Sequence, residues 1–295
     1  MTPSDIRKRL KAQIMGPSLV TAPGVYDGLT GRLVANAGFD VAYMTGAGTS
    51  LRKGYPDYGL LTMTEMVDNA SDITAIDGLA VIADADTGYG NELNVTRTIT
   101  EYERAGVAAI HIEDQGFPKR CGHLDDKEII PLEDYIAKIK AAVAARTDPD
   151  FMLIARTDAR AVIGMDEAVR RANAALEAGA DIAFVEAPQT PDEVRSVPQA
   201  VNGPCLFNLV YGGKTPALEL SEIDEMGFAL AILPDVLMRS VVMTCETILE
   251  PLKASGTLPA ADQGLPVRAL FERMDSARWD ALRTAPAAQP REAAE

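Results

Sequence analysis

Residues 80–115 read AVIADADTGYGNELNVTRTITEYERAGVAAIHIEDQ and contain two short apolar runs separated by an amphipathic stretch. The runs, Ala80–Ala83 and Ala108–Ile112, are continuous rather than alternating, which is typical of parallel strands buried on both faces. The stretch between them, Thr96–Ala105, has helical periodicity and ends before Gly106, a residue type that commonly ends helices. This part of the chain therefore predicts a strand, a helix and a second, parallel strand.

The same alternation recurs about eight times along the chain. The other predicted strands are Leu19–Thr21, Val41–Met44, Phe151–Ala155, Ile182–Val185, Cys205–Asn208 and Ala229–Leu233. Eight cycles favour an α/β fold of the closed (β/α)8 TIM-barrel type over an open doubly wound sheet. The open sheet stays an alternative, but the segment Gly46-Ala47-Gly48 lacks the third glycine of the dinucleotide-binding motif GxGxxG.

Two further helices are predicted after the eighth strand, at Val236–Ala254 and Val267–Leu282. A barrel offers no obvious place on its own surface for the second of them, so we expect it to dock on another subunit. We therefore divide the chain into a barrel (residues 1–256), a linker with an exchanged C-terminal helix (257–283) and a tail (284–295). The composition of the tail predicts disorder.

Charge and hydropathy exclude several classes of partner. The formal net charge of -15 argues against nucleic acid and anionic membrane surfaces. No apolar run approaches the roughly 20 residues that span a bilayer, and the N-terminus reads as a capped amphipathic helix rather than a signal peptide. We therefore predict a cytoplasmic protein. Its three cysteines, Cys121, Cys205 and Cys245, lie far apart and do not predict a disulfide scaffold.

Carboxylates follow two neighbouring predicted strands. Asp84 and Asp86 are two residues apart, so both can face the mouth of a barrel, and Glu113 ends the next strand. Three carboxylates at one point repel each other unless a hard cation neutralises them, and oxygen ligands favour Mg2+ over Zn2+. The alternative is that they are loop caps and surface ion pairs.

The segment PKRCGH, residues 118–123, places Cys121 among three residues that can be cationic. Such surroundings lower the pKa of a thiol and make it a usable acid–base group. The alternative is a solvated basic turn that holds a cysteine by chance. His111 lies within a predicted strand and is more typical of a core histidine than of a catalyst.

Arg156 ends a buried strand, where a charged residue is rare unless it is paired. Its guanidinium could bind a carboxylate or stabilise an enolate oxygen, and it could also pair with Glu186 or Asp158. The glycine-rich turn Thr45–Ser50 offers backbone N–H groups to an anion, although glycine turns after strands are common.

The motifs DADTGYG, HIEDQ, KRCGH, ARTDA and NLVYGGKTP together resemble the isocitrate lyase/phosphoenolpyruvate mutase superfamily, and the similarity runs from about Ala22 to Pro259. KRCGH looks like the signature of the lyase branch. The resemblance implies a (β/α)8 barrel, Mg2+ (with Mn2+ as a substitute), and a homotetramer whose C-terminal helices are exchanged between subunits.

The resemblance also implies roles for individual residues. Asp84 and Asp86 match the Mg2+-anchoring carboxylates, supported by Glu113 through water and by Asp57 from the loop after the second strand. Cys121 matches the general acid. The remaining matches are Tyr43, Arg156 and His123 among the catalytic groups, and Thr45, Gly46, Ala47, Lys119, Arg120, Gly122, Glu186 and Asn208 among the substrate contacts.

The implied reaction is cleavage of a small 2-hydroxy di- or tricarboxylate into pyruvate and a carboxylic acid through an enolate. Leu124 stands where methylisocitrate lyases tend to have an arginine, and Val210-Tyr211 makes the segment after the seventh strand more apolar. Both differences favour a 2-alkylmalate such as 2,3-dimethylmalate over 2-methylisocitrate. A phosphonomutase of the carboxyphosphonoenolpyruvate type, decarboxylation or hydrolysis of the 2-keto acid oxaloacetate, and a barrel without enzymatic activity are the alternatives.

Overall fold

The computed structural model describes residues 1–124, 126–256 and 265–284. Eight parallel strands close into a barrel in chain order, which confirms the (β/α)8 fold. The strands are β1 Val20–Val25, β2 Val41–Met44, β3 Ala80–Asp84, β4 Ala109–Glu113, β5 Met152–Thr157, β6 Ile182–Val185, β7 Cys205–Asn208 and β8 Leu230–Leu233. Three of them, β2, β6 and β7, have the bounds that the sequence predicts.

Helices connect the strands and cover the barrel. They are α1 Pro3–Ile14, α2 Gly28–Asn36, α3 Gly46–Arg52, α4 Met63–Thr74, α5 Glu92–Arg104, α6 Leu132–Ala145, α7 Ala159–Val162, α8 Met165–Glu177, α9 Pro191–Ala200, α10 Leu220–Glu225, α11 Val236–Ser255, α12 Val267–Glu272 and α13 Ser276–Thr284. As predicted, glycines end three of the helices before a strand: Gly38, Gly106 and Gly179 have φ of 90°, 81° and 105°.

The barrel interior is filled by side chains from alternate positions of the strands. Tyr43 of β2 and Phe184 of β6 belong to this interior cluster. Ile6, Leu10 and Ile14, which lie on one face of α1, belong to the same cluster. Helix α1 therefore closes the N-terminal end of the barrel. Helix α1 does not cover the opposite end of the barrel, where the strands end.

A second layer of apolar side chains joins the strands to the surrounding helices. Ala42 and Met44 of β2, for example, pack in one cluster with Met66 and Ile73 of α4. The strands are thus covered on both faces, which is why their sequences read as continuous apolar runs.

The chain divides into two compact units, Met1–Thr244 and Cys245–Glu295. The predicted helix Val267–Leu282 is in fact two helices, α12 and α13, because Asp275 between them has a φ of 62° that a helix cannot accommodate. Most of the predicted linker and residues 285–295 of the tail lie outside the described residues. No helix in the described ranges combines the length and apolar character needed to cross a membrane.

Candidate active site

Polar side chains occupy the C-terminal end of the barrel. Every second residue of a strand faces the barrel interior, and at the end of several strands the next such residue is polar. Residues two apart on a strand share a face. Tyr43 follows Val41, Asp84 follows Ile82, and Glu113 follows His111 by this spacing. Arg156, Glu186 and Asn208 continue the interior faces of β5, β6 and β7 in the same way. The strands therefore bring six of the predicted site residues to one place.

Asp84 lies at the centre of this group. Its carboxylate accepts hydrogen bonds from the backbone N–H of Gly46 (3.2 Å) and of Asp86 (2.9 Å), and the Tyr43 hydroxyl lies 3.4 Å from its Oδ2. Burial opposes ionisation, but His111, Lys119 and Arg156 lower the pKa of Asp84 to about 2. Asp84 is therefore a fixed negative charge at neutral pH.

Tyr43 and His111 form a buried pair inside the barrel mouth. The Tyr43 hydroxyl lies 2.8 Å from His111 Nε2, and the two rings stack with centroids 5.8 Å apart. Burial is the main reason that the pKa of His111 falls to about 4, so the imidazole is neutral at pH 7 and can accept the phenolic proton. His111 is in the core as predicted, but it also contacts Tyr43 and Asp84. Its position two residues before Glu113 could have indicated this from the sequence.

Arg156 is held between two carboxylates. It donates two hydrogen bonds to Asp158, from Nε (3.0 Å) and from Nη2 (3.2 Å), and its Nη1 lies 3.2 Å from Glu113 Oε2. The predicted ion pair with Asp158 is therefore present, and that with Glu186 is not among the contacts within 4 Å of the described residues. Asp158 and Glu113 fix the orientation of the planar guanidinium, so it can present its remaining N–H groups to a substrate carboxylate.

Lys119 partly neutralises the negative charge of two carboxylates, those of Asp57 and Asp86. Its Nζ donates to Asp57 Oδ1 at 2.6 Å and lies 3.0 Å from Asp86 Oδ1. Burial raises the pKa of Asp86 to about 6 even though Lys119 opposes the shift. The lysine therefore joins the loop after β2 to the loop after β3.

The carboxylates of the site differ from a ready-made metal cage. Within residues 1–124, 126–256 and 265–284, no three histidine, cysteine, aspartate or glutamate side chains converge as a ready cage. Mg2+ usually needs only one or two carboxylates and several waters. Both Glu113 oxygens are buried and accept no aligned hydrogen bond from the described residues. Oε2 lies 3.2 Å from Arg156 Nη1, whereas Oε1 is left available to a cation or its waters. The donors are all oxygen atoms, and they fit Mg2+.

Residues 116–124, hereafter the lid, lie over the barrel mouth. Backbone hydrogen bonds join the chain around the start of the lid to the chain after it. Gly116 N donates to the Glu128 carbonyl and Ile130 N donates to the Asp114 carbonyl, both at 2.9 Å. At the other side of the lid, a β-carbon on Gly122 would overlap the ends of Glu186 and Arg156. The lid is therefore closed onto the interior residues.

His123 joins the lid to the other wall of the site. Its Nδ1 accepts a hydrogen bond from the backbone N–H of Lys214 at 3.1 Å, so the proton of a neutral ring lies on Nε2. Nε2 is 3.2 Å from Glu186 Oε1, and Glu186 also accepts from Asn208 Nδ2 at 3.3 Å. These contacts hold the loop after β7 against the lid.

Cys121 is half-buried in the lid between Lys119 and Gly122. Burial and the neighbouring Asp57 raise the pKa of its thiol, so the sequence-based prediction of a lowered pKa is wrong. The cations that motivated that prediction have other surroundings. Lys119 forms ion pairs with Asp57 and Asp86, and the Arg120 side chain is 52% exposed. Cys121 therefore carries its proton at neutral pH.

Three other predicted positions differ from their sequence-based interpretation. The expected glycine-rich turn at Thr45–Ser50 is the start of helix α3, with Thr45 as its N-cap, and Gly46 and Ala47 form its first turn. The side chain of Arg120 points away from the site, although its backbone bonds to Gln115. Leu124 is 43% exposed, so it contributes little to the wall of the site and tells little about the substrate.

Known proteins resemble this chain over most of its length. A model of the phosphoenolpyruvate phosphomutase family matches residues 9–253. The 2,3-dimethylmalate lyase of Eubacterium barkeri is 48% identical, covering 77% of this chain and 78% of that protein. The 2-methylisocitrate lyase of Aeropyrum pernix is 43% identical, covering 84% and 80%. A crystal structure of phosphonopyruvate hydrolase with oxalate and Mg2+ matches with a TM-score of 0.85 and 31% identity, over 96% of this chain and 98% of that one.

Proposed function

Because the chain belongs to the phosphoenolpyruvate phosphomutase family, we propose that it is a Mg2+-dependent carbon–carbon lyase that cleaves a 2-alkylmalate such as 2,3-dimethylmalate. The observation that carries the proposal is the position of Cys121 in the closed lid, where burial raises the pKa of its thiol. Cys121 lies between Lys119, which contacts Asp86, and Gly122, which lies against Arg156 and Glu186. A proton donor over the barrel mouth suits a lyase, whose carbanion must be protonated, whereas phosphoryl transfer needs none there.

Asp84 and Asp86 would hold Mg2+, with Glu113 and Asp57 in support through water. When bound, the ion would stabilise negative charge on the carboxylate and 2-oxygen of the part that becomes pyruvate. Mn2+ is the expected substitute, since it accepts the same oxygen ligands. A phosphonopyruvate hydrolase with the same fold forms a complex with oxalate and Mg2+, which supports the choice of Mg2+ as the metal.

The residues of the chain would then move two protons. Burial raises the pKa of Tyr43 well above its usual value, so its hydroxyl starts protonated and can pass its proton to His111 Nε2 while it takes the proton of the substrate 2-hydroxyl. The C2–C3 bond breaks, and its electron pair enters the second carboxylate as an enediolate beside Arg156. Cys121 gives its proton to C3, so 2,3-dimethylmalate yields pyruvate and propionate.

The choice of a 2-alkylmalate depends on the loop after β7 and on similarity. The relative that is 48% identical is a 2,3-dimethylmalate lyase, and Val210 adds a half-buried apolar side chain to this loop. Tyr211 is 51% exposed, so it tells as little about the substrate as Leu124 does. We expect kcat/KM to be at least about tenfold higher for 2,3-dimethylmalate than for 2-methylisocitrate in a steady-state assay of pyruvate release. A clear preference for the tricarboxylate would overturn the assignment.

We also propose that the protein is a homotetramer with exchanged C-terminal helices. None of the 20 residues of α11 is buried, and several of them are large and apolar. The exposed apolar side chains on this helix are Val241, Val242, Met243, Ile248 and Leu249. Large apolar side chains of α12 and α13 are exposed as well: Val267, Leu270, Phe271, Trp279 and Leu282. We expect another subunit to cover these apolar surfaces. Light scattering of the full chain should give a mass about four times 31.5 kDa, and a monomer would contradict the proposal.

A further inference from the structure

Lys127 is a buried lysine that none of the sequence motifs includes. It lies just before the backbone contacts that join the two ends of the lid, and its side chain is only 1% exposed. A buried ammonium group needs hydrogen-bonding or charged partners to offset its loss of hydration. The partners of Lys127 therefore indicate what this residue does.

Lys127 has one partner in the lid and one on the barrel. Its Nζ donates to the backbone carbonyl of Gly122 and lies 2.9 Å from Asp158 Oδ1. Gly122 is the lid residue that lies against Arg156 and Glu186. Asp158 follows β5 and is fully buried. One side chain thus connects the innermost point of the lid to the barrel.

Asp158 is also the carboxylate that orients Arg156. Its Oδ2 accepts from Arg156 Nε, and its Oδ1 is shared between Arg156 Nη2 and Lys127 Nζ. The backbone N–H of Asp158 donates to Asp114 Oδ1 at 2.8 Å, and this hydrogen bond fixes the backbone that carries the Asp158 carboxylate. Burial opposes the charge, but Arg156 and Lys127 together hold the pKa of Asp158 at about 2. A change at Lys127 therefore alters the hydrogen bonds that set the guanidinium.

We infer that Lys127 is a positioning residue that couples closure of the lid to the orientation of Arg156 through their shared partner Asp158. Lys127 does not touch the substrate. It holds the Gly122 carbonyl over the site, and it shares the charge of Asp158 so that Arg156 can also bind a substrate carboxylate. The catalytic part of this inference rests on the proposed lyase function, whereas the part about the lid does not.

The test uses the reactivity of Cys121 in the lid. In a Cys245→Ser background, which removes the exposed thiol, Lys127→Met should raise the rate of Cys121 alkylation by N-ethylmaleimide about tenfold or more. The cause would be an open lid in the substrate-free protein. We also expect kcat/KM for 2,3-dimethylmalate to fall about 10- to 100-fold, mainly through KM, and Lys127→Arg to recover most of both properties.

Lys11→Met is the matched control. Lys11 likewise donates to a main-chain carbonyl, that of Pro149, and pairs with an aspartate, Asp150, but it lies on α1 at the other end of the barrel. It should change neither the alkylation rate nor kcat/KM. If Lys127→Met does not fold, Lys127→Gln carries the same test, since it keeps a donor and loses the charge.

Two outcomes would overturn the inference. If Cys121 is alkylated equally fast in Lys127→Met and in the Cys245→Ser protein that keeps Lys127, then Lys127 does not hold the lid. Faster alkylation with unchanged kcat/KM would show that the lid and Arg156 are not coupled. If the protein cleaves no 2-alkylmalate at all, the proposed function fails, and the alkylation rates still decide the role of Lys127 in the lid.

Discussion

Cys121 shows how the surroundings of one side chain decide its chemistry. The neighbours of Cys121 in the sequence predicted a positively charged environment for its thiol. In the folded lid, however, the Arg120 side chain is exposed to solvent, and Lys119 pairs with Asp57 and Asp86. Burial and the negative charge of Asp57 raise the pKa of the thiol by more than the His123 backbone N–H and Lys119 lower it. Residue types adjacent in sequence could not reveal which way each side chain points.

Cys121→Ser should lower the lyase kcat by about 10^2 to 10^4, because a serine hydroxyl is a much weaker acid than a thiol. Its melting temperature should stay close to that of the wild type, since the side chain is only half-buried. The matched control is Cys245→Ser, an exposed thiol remote in sequence from the lid, which should keep full activity. Comparable lyase activity in Cys121→Ser would remove the cysteine from the mechanism.

The pH profile of kcat should report the same thiol. A general acid works in its protonated form, which is present below its pKa, so a raised pKa extends activity toward alkaline pH. We expect the alkaline limb of kcat to lie above the ordinary thiol value of about 8.5 and to disappear in Cys121→Ser. A limb below about pH 8 would mean that the thiol is not the titrating acid.

At the scale of elements, the strands and most helices were predictable because their apolar runs are continuous and their ends carry glycine. The two-residue spacing predicted one strand face for Asp84 and Asp86, but β3 ends at Asp84, and Asp86 follows it with a φ of 47°. The lid was not predictable in detail, because its partners Glu186 and Lys214 lie in segments after β6 and β7 that are far away in sequence. Helix α3 was missed because glycines usually disfavour a helix.

Gly122→Ala should prevent the lid from closing. The added β-carbon would overlap the ends of Glu186 and Arg156, and neither can move cheaply because His123 and Asp158 hold them. We expect kcat/KM to fall at least about tenfold with little change in melting temperature.

Gly116→Ala is the control in the same lid. A β-carbon there would meet no atom closer than the Glu128 carbonyl oxygen at 3.9 Å, and the φ of Gly116 is not in the left-handed region. It should keep most of the activity. Equal losses in the two variants would mean that any alanine in the lid is harmful and that the contact at Gly122 has no special role.

At the scale of the molecule, stability and chemistry lie at opposite ends of the barrel. Helix α1 closes the N-terminal end with apolar side chains, while charged groups gather at the C-terminal end. The eight-fold alternation of the sequence predicted this architecture, since a closed barrel brings all strand ends together. The closing role of α1 was not predicted, because its amphipathic pattern does not say which surface it covers.

Leu10→Ala should lower the free energy of unfolding by about 2–5 kcal/mol, because Leu10 is fully buried against the barrel interior. Activity of the folded protein should change less than about twofold, since the site is at the other end. Urea denaturation measures the first effect. Leu93→Ala on α5, where the side chain is 74% exposed, should cost less than about 0.5 kcal/mol. A large loss of kcat in folded Leu10→Ala would contradict this separation.

The measurement that tests the central claim most directly is pyruvate release from 2,3-dimethylmalate, followed by a coupled assay with Mg2+ and after its removal by a chelator. We expect pyruvate and propionate in equal amounts, loss of activity on removal of the metal, and recovery when Mg2+ or Mn2+ is added. Turnover of oxaloacetate alone, or release of pyruvate that does not depend on a divalent ion, would contradict the assignment of a Mg2+-dependent 2-alkylmalate lyase.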